Sequence, residues 1–178
     1  GNSHPMTRTY PDEPAEEFPR PPRTITDRED RTIDVIPADD ADTESLVEMY
    51  LDFDPADRAQ GIPPVKEDAI REWLDTILDD DCVNVVAKHD DIVAGHATLV
   101  PDNEDEHELA IFVLQAYQGA GIGTALVETL LGYGQVEGID NVWLTVERWN
   151  DPAISLYEKV GFEISSAESF EIEMAIRL

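Results

Sequence analysis

Gly119, Gly121 and Gly123 stand at alternate positions in a run from Gln118 to Thr124, directly after the apolar stretch Phe112-Val113-Leu114 and directly before a helical pattern. A backbone without Cβ atoms at such points can close on a ligand without steric cost. The first amides of the helix that follows have no internal acceptor and sit at the positive end of its dipole. That pairing binds anions, phosphate groups above all. A plain structural turn could use the same glycines. A dinucleotide fold needs G-x-G-x-x-G within an early βαβ unit, and a Walker loop needs Gly-Lys-Ser/Thr; the G-x-G-x-G found here fits neither. The expected ligand is a phosphorylated molecule of another kind.

A second chemical stretch follows the strand-like segment Asn141–Val146 and runs from Asn150 through Tyr157 to Phe162. Asp151 is expected to cap a helix that opens with Pro152 at its first position and closes at Gly161. In this order the two segments, Q-G-A-G-I-G and N-x-x-A-x-x-L-Y-E-K-x-G-F, resemble the GNAT superfamily of acetyl-coenzyme A-dependent N-acetyltransferases. The resemblance extends from about Ile33 to the C-terminus.

That resemblance implies acetyl-CoA as co-substrate, no metal, and direct attack by an amine in a ternary complex. The backbone of Gln118, Gly119, Ala120, Gly121, Ile122, Gly123 and Thr124 would cradle the pyrophosphate. Phe112, Val113 and Leu114 would offer main-chain groups to the pantetheine arm, and the Val113 amide would polarise the thioester carbonyl. Tyr157 would protonate the departing thiolate. Asn150 and Ala153 hold the places of coenzyme contacts. Simpler roles exist: Tyr157 packed on the core side of its helix, Asn150 capping a turn.

The base implied by the resemblance is Glu108, in a stretch similar to the E-x-A-I/V-x-V of Pat-like protein lysine acetyltransferase domains. Strand parity places 108, 110 and 112 on one face and 109, 111 and 113 on the other. His107 and Glu106 are the fallbacks, with His96 on the preceding strand a third. The acceptor pocket of this fold draws on Tyr50, Phe53, Arg58, Trp73 and the Phe162–Phe170 region. Tyr50–Pro55 loosely echoes Pat-like domains, which favours a protein or peptide lysine. A small amine and a non-catalytic acetyl-CoA-binding module stay open.

The 178 residues suit one domain with its own core. Forty acidic residues oppose 12 basic ones, a net charge of −28, yet 42% of residues are hydrophobic and fall in periodic segments. With three lysines against 21 aspartates, the surface reads as adaptation to molar salt, where the Debye length shrinks to about 3 Å. An acidic surface also suits a cationic acceptor. Nothing offers the basic stripe that nucleic acid requires. The single Cys82 fits a reducing, cytoplasmic setting and reads as a buried strand thiol. No apolar stretch reaches the ~20 residues of a membrane span, and none reads as a signal peptide.

These groups need an α/β frame to position them. Gly1–Pro5 read as an expression scar ahead of Met6, and residues 6–31, rich in Pro and charge, as an irregular arm lying across the domain or a partner subunit of a homodimer. From Thr32 the pattern reads β-α-α-β-β-β-α-β-α-β-β, a GNAT domain over 32–178. The expected fold is a mixed, mostly antiparallel twisted sheet of six to seven strands flanked by about four helices. One helix buries Leu46, Val47, Tyr50 and Leu51; the next buries Ala69, Ile70, Trp73, Leu74, Ile77 and Leu78.

Overall fold

The computed structural model describes residues 8–57 and 62–178; Gly1–Pro5, Met6 and Arg58 lie outside them. Its strands are β1 (Arg23–Thr26), β2 (Thr32–Pro37), β3 (Val83–His89), β4 (Ile92–Pro101), β5 (His107–Val113), β6 (Asn141–Glu147), β7 (Glu163–Ala167) and β8 (Glu171–Arg177). Its α-helices are α1 (Thr43–Leu51), α2 (Glu67–Ile77), α3 (Ile122–Val136) and α4 (Asp151–Val160). All eight strands form one sheet in the order β1-β2-β3-β4-β5-β6-β8-β7. Every neighbouring pair is antiparallel except β5 and β6, which run parallel.

The sheet's two faces are covered unequally along the chain. α1 and α2 pack on the face carrying His96 and Phe112, both of which meet Tyr50 of α1. α3 packs on the other face, where Leu126 approaches Gly95. Covered on both sides, β3 and β4 read as near-continuous apolar runs rather than as alternation. α2 buries Ile70, Leu74 and Ile77, the stripe that its spacing predicts. Leu51 and Ala69 depart from expectation and are exposed, because each lies off the stripe that meets the sheet.

One strand more is present than the sequence pattern predicts. β1 lies inside the segment read as irregular and pairs with β2 from Arg23↔Val35 to Thr26↔Thr32. Arg-Thr-Ile-Thr carries a single strongly apolar residue, so period-2 hydrophobicity could not reveal it. Its hairpin is set by Asp27, whose Oδ1 accepts the amides of Glu29 and Arg31, each at 2.9 Å. The arm before β1 runs over the domain. Ala15 N donates to Arg177 O at 2.8 Å, and Phe18 N to Gln135 Oε1 at 2.9 Å. A Cβ on Gly132 would fall 1.9 Å from Pro19 O, so this glycine admits the arm against α3.

Two local readings are corrected. Asn150, not Asp151, caps α4: its Oδ1 accepts Ala153 N at 3.3 Å, while Asp151 begins the helix and sets its charge against the dipole's positive end. Cys82 sits half-buried in the turn before β3 rather than inside the strand. Burial and the nearby Asp79 and Asp81 push its thiol above the ordinary range, the opposite of an activated nucleophile.

Candidate active site

β5 and β6 pair only at His107↔Val142 and Glu108↔Trp143, then part. On its other side β5 stays in register with β4 as far as Gly95↔Val113, and Leu114 N donates to Ala94 O at 2.9 Å. Antiparallel ladders alternate the direction of their amides. The Leu114 bond therefore turns the amides of Ile111 and Val113 the other way, into the gap left by β6. Of the predicted trio, Val113 aims its amide into the gap, Phe112 aims its own at β4, and Leu114 has spent its own on Ala94.

The glycine loop sits at the mouth of this gap. Gly119 (φ +74°) and Gly121 (φ +94°) are left-handed, and a Cβ on either would meet nothing within 4 Å. Backbone conformation, rather than room, demands glycine there. Gly121 caps α3, leaving the amides of Ile122, Gly123 and Thr124 without intrahelical acceptors. The loop's carbonyls face elsewhere. Gly119 O accepts Arg28 Nη1 at 3.2 Å and Ala120 O accepts Arg28 N at 3.0 Å. Gln118 contributes less than expected: its amide donates to Gln115 O, and its side chain bridges Asp57 and the Val113 carbonyl.

These parts line a single groove of about 840 Å³, bounded by Ile111–Val113, the glycines, Thr124 and the α4 residues Ala153 and Tyr157. Asn150 is at its edge, its side-chain oxygen occupied by the cap. Tyr157 is buried, stacked edge-on against Phe162, and desolvation pushes its phenol up to about 12. It keeps its proton at any physiological pH and can only donate to a neighbouring anion. Among the described residues no group of His, Cys, Asp and Glu is arranged to hold a metal ion.

The carboxylates gather at the root of the gap. Glu108 shares its face with Trp143, its partner across β6. Burial first, and then the charges of Asp102, Glu173 and Glu171, push its carboxyl above the ordinary range, against the pull of Arg8. A carboxylate with a raised affinity for protons is the electrostatic signature of a base candidate. Glu106 is tied up by Arg8 and by the Tyr10 hydroxyl at 2.6 Å. His107 faces the other side of the sheet, in a hollow with Glu137–Asn141 at the far end of α3.

His96 is fully buried and belongs to a closed network. Asn84 Nδ2 donates to Ile77 O at 2.8 Å, so Asn84 Oδ1 accepts from His96 Nε2 at 2.7 Å. His96 Nδ1 is then the acceptor for the Tyr50 hydroxyl at 2.6 Å. Burial pushes this imidazole down to about 3, leaving it neutral and structural. The network fixes Tyr50, whose ring stacks edge-on with Trp73 at 5.1 Å and Phe112 at 5.6 Å. Phe53 joins at 6.1 Å from Phe112, completing an aromatic wall between the groove and α2. Phe162 is in the core, whereas Phe170 is exposed beside Trp149.

Three groups escaped the sequence reading. Arg28 and Lys159 both line the groove, two of only 12 basic residues in the chain. Arg28 arrives from the unforeseen β1–β2 hairpin, so no local motif pointed to it. Trp143 was read only as part of a strand.

Comparison with known proteins gives a consistent result. The model of the acetyltransferase (GNAT) family matches residues 43–162. An uncharacterized N-acetyltransferase of Mycobacterium tuberculosis is 32% identical over 89 residues, 49% of this chain and 57% of that protein. The match thus spans little more than half the length of that relative. Among solved structures, the GNAT domain of PAT from S. lividans is similar with a TM-score of 0.73 at 20% identity, covering 88% of this chain and 97% of that one. The PaiA N-acetyltransferase of Thermoplasma acidophilum, solved with coenzyme A, gives 0.66 at 21% identity, covering 82% and 99%.

Proposed function

The chain belongs to the GNAT family of acetyltransferases, and from that premise we propose that it moves an acetyl group from acetyl-CoA to a primary amine. The observation that carries this reading is the convergence of the parted β5, the α3 amides and Tyr157 on one groove. Backbone amides suit the donor's phosphates here, because they attract anions without placing basic side chains in a protein of net charge −28. Arg28 and Lys159, which line the same groove, add positive charge for the phosphates. The Val113 amide, fixed by the β4 ladder, polarises the thioester carbonyl. Glu108 takes the ammonium proton through water in the β5–β6 gap. Tyr157 donates to the leaving sulfur; with its pKa pushed up to about 12 and a thiol ordinarily near ~8.5, it stabilises the thiolate chiefly by hydrogen bonding.

The amine attacks the thioester directly. Ser155 and Thr124 are the aliphatic hydroxyls on the groove, and no histidine is among the described residues that line it. A protein lysine is the preferred acceptor, supported by the Pat-like pattern around Glu108; a polyamine or amino acid is the alternative. Acetyl-CoA should raise Tm by roughly 5–10 °C at a hundredfold excess over its Kd. Thiol release should then appear with some member of a panel of lysine peptides and alkylamines. A Tm rise without thiol release from any amine would favour a binding module instead.

We also read the surface as adapted to molar salt in the cytoplasm. At about 0.01 M salt the Debye length reaches roughly 30 Å, which brings the acidic surface into mutual repulsion. Tm should therefore fall steadily as potassium chloride is diluted from molar to millimolar. A flat Tm across that series would remove this reading.

A further inference from the structure

The root of the β5–β6 gap already holds a cation, supplied by the protein itself. The Arg8 guanidinium carbon lies over the Trp143 ring, 3.6 Å from its centroid. Around it stand Glu106 at 3.1 Å, Glu173 at 3.2 Å and Asp102 at 3.7 Å. Arg8 and its three carboxylate partners are each about four-fifths shielded from water, so these contacts are less screened than a surface ion pair.

The floor of the cage is fixed without Arg8. Trp143 Nε1 donates to Asp102 Oδ2 at 2.9 Å, which fixes the floor. Asp102 Oδ1 accepts the amides of Glu104 and Glu106, which fixes the loop leading into β5. Glu173 stands on β8, held in register with β6. Glu108 projects on the same face as Trp143, one position into β5, and senses the Arg8 charge.

The occupant, by contrast, hangs on a short segment. Beyond Arg8 it is held by Thr9 N to Ser165 Oγ at 2.8 Å and by the Tyr10 hydroxyl to Glu106. Further along, the Ala15–Arg177 backbone bond ties the segment to β8. Pro11, Asp12, Glu13 and Pro14 lie between, outside the sheet and mostly exposed.

We infer that residues 8–10 form a strap whose Arg8 side chain occupies the acceptor's cation site, so that the enzyme selects amines entering as cations and admits them when the strap lifts. The inference rests on the acetyltransferase reading for the word acceptor, but the cage and its occupant stand apart from it. A self-occupied site lowers apparent affinity by the fraction of time it is free. Emptying it should therefore tighten cation binding without touching the donor groove.

The test compares wild type with Arg8→Ala and Arg8→Lys. With 1,4-diaminobutane as acceptor, Arg8→Ala should lower KM about ten-fold, the effect of a strap closed nine-tenths of the time. Its kcat and its KM for acetyl-CoA should stay as in wild type. Arg8→Lys should behave as wild type, since an ammonium still fills the cage. An arylamine, neutral at pH 7, should show no change of KM in either variant. A second readout needs no turnover: 1,4-diaminobutane should raise the Tm of Arg8→Ala at concentrations about ten-fold lower than wild type needs for the same rise. Adding Trp143→Leu to Arg8→Ala should abolish that rise. If Arg8→Ala shows no amine-dependent Tm rise, or if KM falls equally for the arylamine, the strap is a mere structural clamp and the inference is wrong. If the Tm rise appears but no variant releases thiol, the cage stands and the acetyl-transfer reading fails.

Discussion

Glu108→Gln should lower turnover by about 10²-fold or more, while acetyl-CoA raises Tm as in wild type. Five residues separate Glu108 from Val113, roughly 16 Å of strand at about 3.3 Å per residue. Proton transfer to this carboxylate therefore runs through water in the gap, and glutamine, which cannot accept the proton, breaks the relay. The loss should shrink as pH rises toward the amine's own pKa, because solution then supplies neutral amine. Tyr157→Phe should instead slow thiolate departure with no rescue at high pH. In wild type the raised carboxyl pKa moves the acid limb of the rate profile above the ordinary 4.5.

The stability sign separates this from a folding defect. A carboxyl whose pKa is raised in the fold stabilises it below its unfolded pKa and loses that contribution as pH climbs through the folded value. At neutral pH a permanently neutral glutamine should leave Tm unchanged or higher. Activity lost together with Tm would point to damage rather than to a missing base. Activity retained in Glu108→Gln would move the proton elsewhere, and the geometry leaves few places. His96 is closed in its network, and His107 faces away.

Much of the frame was legible because its signals are local. Alternation, helical stripes and glycine or proline punctuation each act over a few residues. They predicted the four helices and the strands from Thr32 onward to within a few positions. The site divides differently. Gly119, Gly121, Val113 and Tyr157 converge because each is carried by an element the pattern revealed. The Asn150 cap was open to two neighbours of equal propensity, and hydrogen-bond geometry chose between them. Arg28 and Arg8 were not legible at all. Both reach their positions through the N-terminal segment, whose single-apolar strand and proline-broken arm carry almost no periodicity. Their roles depend on contacts some 90 residues or more apart in sequence, which no motif encodes.

Gly121→Leu should abolish the Tm rise given by acetyl-CoA. The usual argument, that a side chain blocks the ligand, is secondary here, since the space around Gly121 is open. The stronger effect is on the backbone. At φ +94° a leucine is strained by roughly 1–3 kcal/mol, and the loop relieves this by turning out of the left-handed region. Ile122, Gly123 and Thr124 then no longer present their amides together, and the Gly119 and Ala120 carbonyls lose their fixed direction toward Arg28. Such a variant loses stability as well as affinity, so Arg28→Glu supplies the second arm. That hairpin side chain is exposed and its removal leaves both glycine dihedrals available. A negative charge at the groove's edge should weaken donor binding by about ten-fold, less so at molar salt, where charges are screened within about 3 Å. Isothermal titration with coenzyme A on both variants is the measurement. Normal binding by Gly121→Leu would take the phosphates off this loop, and a salt-independent loss in Arg28→Glu would show that the arginine acts by holding the loop rather than by charge.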